Sequence, residues 1–235
     1  MALVDGAAEG RGLGDGPAEH VAARLALAIH EHRLAPGTKL SEDEVGLVYG
    51  VSRTVVRAAL QRLAHDRLIT LRRNRGAFVA QPSIREAREV FEARALLEPR
   101  TARSAAERTT PEDARALLAH LDAEREAVAA GDAGKALRLS GQFHLEVARI
   151  ADQAIIAEVL GGLVARSSLV IALYWQRRAA LCESHAHDAL ARALAERDGA
   201  RAEALMQGHL LDLVSSLDLR GRPSAPRTLR EALAP

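Results

Sequence analysis

Three of the nine histidines in this 235-residue sequence fall where their imidazoles could meet. His187 and His209 have their midpoint at Asp198-Gly199, a turn signal. In an antiparallel helical hairpin, residues equidistant from the bend stand level with each other, here about 16 Å from it. His187 shares a helix face with Leu190 and Leu194, and His209 shares one with Ala202, Met206 and Leu213, so both should point inward. His144, in "LRLSGQFHLEVARIA", lies on the stripe of Leu137, Val147, Ala148 and Ala151. His185 faces Asp188, Arg192 and Glu196 and belongs on the surface. Imidazole is a favoured ligand for zinc and nickel, and three of them leave an open coordination position. Satisfied core histidines are the alternative reading of the same spacing.

A second chemistry is carried by arginine. Residues 51–76 hold seven arginines (Arg53, Arg57, Arg62, Arg67, Arg72, Arg73, Arg75) against one acid, Asp66, although the whole chain has a net charge of only +1. A compact basic block on a mildly acidic body suits a phosphate-binding module. Arg53 and Arg57 are four residues apart and share a helix face, and an arginine fork matches guanine N7 and O6 or a phosphate. The hydroxyls of Ser52 and Thr54 suit phosphate oxygens. Arg62 and Arg67 read as ordinary surface charges.

The elements that would position these groups follow from periodicity and punctuation. A helix is expected over 18–33, broken by Pro36-Gly37, then a two-turn helix opened by Ser41 and Glu44. Gly50 ends it, and Ser52 or its neighbour caps the next helix, which runs to about His65. Two strand-like pieces, "LITLRR" and "AFVA", are joined by "RNRGA", where Asn74 and Gly76 supply positive φ. Helix, helix, turn, helix and basic hairpin make a winged helix-turn-helix, with Arg73, Arg75 and Gly76 in a wing that can approach a minor groove. The rest reads as helix, at roughly 84–108, 111–130, 132–150, 153–178, 182–197 and 199–219, with Gly131 and Gly199 marking turns. The expected organisation is a tail over 1–16, a DNA-binding domain over 17–80, a linker at 81–83, a helical domain over 84–219 and a loose tail over 220–235.

The stretch "LAPGTKLSEDEVGLVYGVSRTVVRAALQRLAHDRLITLRRNRGAFV" resembles the N-terminal domain of GntR-family repressors. Val55 stands where the family commonly has Pro, and Arg67 where it has Gly before the wing strand. Asp43 lies where some relatives carry a DNA-contacting arginine, so no such contact is assigned to it. Residues 84–219 resemble the FCD ligand-binding domain of the FadR-like subfamily through "EARALLE", "FHLEVA" and "CESHAHDALARALAERDGARAEALMQGHL". The resemblance implies a mainly α fold, a winged helix-turn-helix followed by an all-helical FCD-type bundle. It also implies a divalent metal, zinc or nickel, held by His144, His187 and His209. The family's fourth ligand, an Asp, is replaced by Ser140, leaving a place for water or an effector carboxylate.

Arg94 matches the family's arginine and lies between Val90 and Leu97; it would either hold an effector carboxylate or pair with Glu98. Arg166, on a face with Val159, Leu163 and Val170, is a second candidate anion partner, with Ser140, Ser167 and Tyr174 as further cavity candidates. The implied function is a homodimeric repressor binding a double-stranded DNA operator under the control of a small organic acid. A metal-dependent hydrolase built on the three histidines is the alternative, but no carboxylate is placed as its general base. An RNA-binding module is disfavoured because the basic block lacks stacking aromatics. One cysteine, Cys182, fits a reducing cytoplasm. No apolar run is expected to approach the about 20 residues of a membrane span, and the start lacks the order of a signal peptide.

Overall fold

The computed structural model describes residues 16–175 and 184–220. Cys182 and nearly all of both expected tails lie outside the described residues. Helix α1 (Pro17–His30) starts with Pro at its first position, where a missing N–H costs nothing, and buries Val21, Leu25, Ala28 and Ile29. It stops three residues short of the expected end. His32 takes φ +55, which turns the chain out of the helix. Strand β1 (Lys39–Leu40) follows, within a segment that reads in sequence only as a helix break.

Helix α2 (Glu42–Tyr49) is capped by the Ser41 side chain, which accepts from the Glu44 N–H, and is ended by Gly50 at φ +64. Helix α3 (Arg53–His65) is capped by Ser52, which accepts from the Val55 N–H. Strands β2 (Ile69–Arg72) and β3 (Gly76–Val79) form the hairpin, with Asn74 at φ +58 and Gly76 at φ +93 as the turn chemistry requires. β1 pairs antiparallel with the other edge of β3, giving the order β1-β3-β2 and setting Leu40 opposite Ala77. β1 was missed because two residues have no period, and only pairing with β3 defines them.

The second half is all helix: α4 (Ile84–Arg108), α5 (Pro111–Ala129), α6 (Ala133–Ile150), α7 (Ala154–Tyr174), α8 (Ser184–Ala195) and α9 (Gly199–Ser215). Full capping boxes open α4 at Ser83 and Glu86 and α5 at Thr110 and Asp113. Pro99 lies inside α4, where it removes one helical hydrogen bond. The burial of Ala102, Ala105 and Ala106 on the same helix holds it together. The turn between α8 and α9 is made by Arg197 at φ +58 and the cap Asp198, not by Gly199, which is the first residue of α9. Gly199 is needed for another reason: a Cβ there would stand 3.0 Å from the Arg103 side chain on α4.

One core fills the first half, with Leu25, Ile29, Leu34, Leu40, Val56, Leu60 and Leu63 buried. A second, built on Phe143, Leu117, Leu121, Leu190, Leu194 and Leu210, fills the bundle. Helix α7 is, against expectation, long and apolar enough to cross a membrane by length and composition. It carries Glu158 and Arg166, however, and packs Leu160, Val164, Leu169 and Val170 inside the protein. Leu169 reaches the core of the first half.

Arg67 stands where the resemblance implies glycine and takes φ +59, a region that strains a side chain by about 1–2 kcal/mol. Since glycine gives back part of that through its freer unfolded chain, Arg67→Gly should stabilise the protein by about 1 kcal/mol, raising Tm by about 2–4 °C in a calorimetric scan. An unchanged or lowered Tm would show that the strain is absent.

Candidate functional site

The three histidines sit on three helices. His144 is on α6, His187 on α8 and His209 on α9, and all are buried. Their Nε2 atoms converge: His187 to His209 is 3.3 Å, and His209 to His144 is 3.3 Å. Two nitrogens bound to one zinc at about 2.0–2.1 Å in tetrahedral geometry stand about 3.3–3.4 Å apart, so the spacing fits an ion. His185 is exposed, as its face requires.

Two carboxylates fix the outer nitrogens. His144 Nδ1 donates to Glu98 Oε2 at 2.5 Å, and His187 Nδ1 donates to Glu124 Oε2 at 3.3 Å. A neutral ring whose Nδ1 carries the proton presents a lone pair at Nε2, and carboxylate behind histidine is the usual support of a metal ligand. Burial pushes His144 down to about 4, against the pull of Glu98. It pushes His209 down to about 2, with His144 and His187 adding to the effect. Both rings are therefore neutral and ready to ligate at neutral pH. Phe143, fully buried, stacks on the His187 ring at 4.4 Å between centroids and holds its plane.

Arg94 pairs with Glu98 on the same helix and donates from Nη1 to Ser167 Oγ at 2.8 Å. Burial would raise the Glu98 carboxyl, but Arg94 and His144 outweigh it and hold it well below the usual carboxylate range. Of the two roles open to Arg94, the internal pair is the one formed.

A cavity of about 240 Å³ lies beside the cluster, lined by His144, Arg94, Ser140 and Ser167 among others. The other two candidates sit elsewhere. Arg166, half-buried, lines a separate cleft with Glu86, Glu89 and Arg67, below the wing. Tyr174 donates its hydroxyl to the Pro82 carbonyl at 2.9 Å, tying α7 to the segment before α4; its neighbour Trp175 lines the cavity instead. Glu124 was not anticipated. Its signal was a carboxylate on the apolar stripe of Leu117, Leu121 and Ala127, all buried on α5.

The basic surface lies in the open, away from the cavity. Arg53, Thr54 and Arg57 are exposed at the start of α3, and Arg73, Arg75 and Gly76 are exposed at the hairpin tip. Ser52 is also exposed, but its hydroxyl already accepts the cap bond. Arg53 pairs with Asp43 at 2.6 Å and Arg57 with Glu42 at 2.9 Å. Exposed pairs of this kind are worth about 0–1 kcal/mol, so they do not bar another anion.

Known proteins share this sequence pattern and fold. The sequence matches the FCD domain over residues 89–212 and the gntR family of bacterial regulatory proteins over residues 17–79. The chain belongs to the GntR family and carries an FCD domain. Among relatives of this GntR protein, the HTH-type transcriptional repressor RspR of Escherichia coli K12 is 30% identical over 187 residues, 78% of this chain and 81% of RspR. The Nta operon transcriptional regulator of Aminobacter aminovorans is 27% identical over 78% of this chain and 86% of its own. The fold matches that of E. coli McbR/YncC with a TM-score of 0.77 at 21% identity, covering 86% of this chain and 96% of that one. A GntR protein from Rhodococcus sp. RHA1 matches at 0.73 and 26% identity, over 84% and 95%. The GntR protein is thus a DNA-binding transcriptional regulator with an effector-binding domain, and the hydrolase alternative is set aside.

Removing Glu98 would strand the Arg94 guanidinium in the bundle. Glu98→Ala should cost about 3–5 kcal/mol in urea unfolding, the usual penalty for one half of a buried pair. A loss under about 1 kcal/mol, the size of an exposed pair, would mean that Arg94 is hydrated through the cavity.

Proposed function

We propose that this protein is a cytoplasmic homodimeric repressor whose α3 reads an operator and whose three-histidine centre holds a divalent metal beside a small organic-acid effector. The observation that carries the metal is the convergence of three Nε2 atoms, two backed by carboxylates. His144, His187 and His209 would hold the ion, and its chemistry there is to polarise and anchor an anionic oxygen. Ser140 lines the same cavity one helical turn before His144 and leaves the coordination sphere open on that side. Arg94 and Ser167 act by setting Glu98. Arg166 and Tyr174 act at the junction of the domains, about the linker at 81–83, and outside the cavity.

DNA binding rests on Arg53 and Arg57 for base or phosphate contact, with Ser52 and Thr54 positioning and Arg73, Arg75 and Gly76 at the minor groove. Dimerisation is supported by large apolar side chains left in the open: Leu96 on α4 and Ile155 and Val159 on α7. A second copy covering that face would set two α3 helices about 34 Å apart on a palindromic site.

Gel-shift titration on fragments flanking the protein's own gene tests the reading. Arg53→Ala should weaken the tightest site by about 5- to 150-fold and relax choice at one base pair, while Arg75→Ala mainly flattens the salt dependence. Equal losses on operator and random duplex for Arg53→Ala would rule out base reading.

Metal content is checked on untagged protein. About one ion per chain is expected, and zinc at one hundred times its Kd should stabilise the fold by about 2.7 kcal/mol. His209→Ala should abolish that gain; a shift of equal size in the variant would return the histidines to the core.

A further inference from the structure

The two halves of the chain meet along two spaces. One, closed by Leu27 and His30 of α1 and by His32 after it, belongs to the histidine site. There His32 Nε2 donates to the Ser168 carbonyl of α7 at 3.0 Å and pins the halves together. The other space is the cleft below the wing, which shares none of that lining. It holds about 510 Å³, room for a small organic molecule rather than a bare ion. Arg67, Ile69 and Leu71 line it from the DNA-binding half, and Val90, Leu163 and Arg166 line it from the helical half.

The charges of this cleft are unevenly used. Its two acids are committed to local bonds: Glu86 closes the capping box on Ser83, and Glu89 pairs with Arg85 at 2.8 Å. Glu86 is held below its usual value by the Ser83 N–H and hydroxyl, with Arg166 helping from a distance. Among the described residues, neither the Arg67 nor the Arg166 guanidinium makes a hydrogen bond or a close ion pair. Arg166 is half-buried, where a cation without a partner is costly, and Arg67 carries its side chain on strained backbone. A carboxylate has two oxygens, which one guanidinium fork satisfies. Two forks from different walls suit an ion with three terminal oxygens. A phosphomonoester is such an ion, and its charge of about −1.5 to −2 at neutral pH matches two guanidiniums. Glu86 and Glu89 set the upper limit, because a second phosphate would meet them.

We infer that this cleft is a binding site for a small phosphomonoester, bridged between Arg67 of the DNA-binding half and Arg166 of the helical half. Ile69, Leu71, Val90 and Leu163 border its carbon body. The site is independent of the metal and of the acid effector proposed above. A ligand held by both halves favours the placement in which the two arginines share one cleft, so its binding is linked to that of the operator.

Phosphorus NMR on the full-length protein tests this, with inorganic phosphate and glycerol 3-phosphate as probes. Glycerate and ATP are scored by how well they displace them. Both probes should bind, and glycerol 3-phosphate should bind about tenfold tighter than either control. Arg67→Gly and Arg166→Gln should each weaken it about tenfold, as loss of a charge-assisted bond does. Arg67→Gly relieves backbone strain, so a site lost with Tm kept or raised is not lost through unfolding. Arg166→Lys, which keeps the charge but not the fork, should recover part of the loss. EDTA treatment, Arg53→Ala and Arg75→Ala should leave the affinity within about twofold, which separates the cleft from the metal centre and from the DNA surface. Saturating glycerol 3-phosphate should change operator affinity about fivefold in the wild type and leave it unchanged in Arg67→Gly. Loss of binding in Arg53→Ala or Arg75→Ala would make the phosphate a mimic of the DNA backbone, and loss with EDTA would place it on the metal; either overturns the inference. So would equal affinity for glycerate, unchanged binding in either cleft variant, or no binding at all, the result expected if a second copy fills the cleft. Operator affinity that ignores the bound probe would overturn the link between the halves.

Discussion

The bundle is organised around one buried ionic relay, Arg94 to Glu98 to His144. A guanidinium and a carboxylate cannot be left alone in an apolar interior, so each constrains the other, and the carboxylate in turn orients an imidazole. That orientation sends Nε2 of His144 toward His209 and, through it, toward His187, whose own outer nitrogen is held by Glu124. Five helices, α4, α5, α6, α8 and α9, are brought to one point by polar groups that have nowhere else to go. The leucine and alanine core around them supplies the stability, while the relay supplies the register.

The same relay bears on Ser140, which stands where the resemblance to FCD domains implies an acid. Negative charge is already present on the outer side of two of the rings, where it does not occupy a coordination position. His144 alone of the three also lines a cavity that runs to the DNA-binding half. The short turn after α1, strained at His32 and pinned to Ser168, is the part of the junction nearest that space.

Much of this was legible in the sequence because it depends on local rules. The caps at Ser52, Ser83 and Thr110 and the positive φ at Asn74 and Gly76 follow from turn and cap chemistry that needs no tertiary information. The pairing of His187 with His209 was readable because a hairpin converts equal distance from a bend into contact. What escaped was long-range. β1 exists only through β3, and Glu124 meets His187 only because α5 packs on α8. Tyr174 and Trp175 are neighbours that share an apolar surrounding, and only the exit of the chain from α7 decides which faces the cavity. The closing of that cavity by α1 required knowing how two domains dock, which no periodicity encodes.

The acidic first turn of α2 has a consequence of its own. Glu42 and Asp43 already hold Arg57 and Arg53 before any nucleic acid arrives. For these two side chains, exchanging a carboxylate for one phosphate oxygen is close to neutral, because one anion replaces another in water. A carboxylate already offers two aligned acceptors, and Arg57 meets both oxygens of Glu42, so a guanine edge or a phosphate gains only what exceeds that resident pair. Glu42 and Asp43 thus set the reference against which any incoming anion or base edge at Arg57 and Arg53 is weighed, without themselves having to touch it.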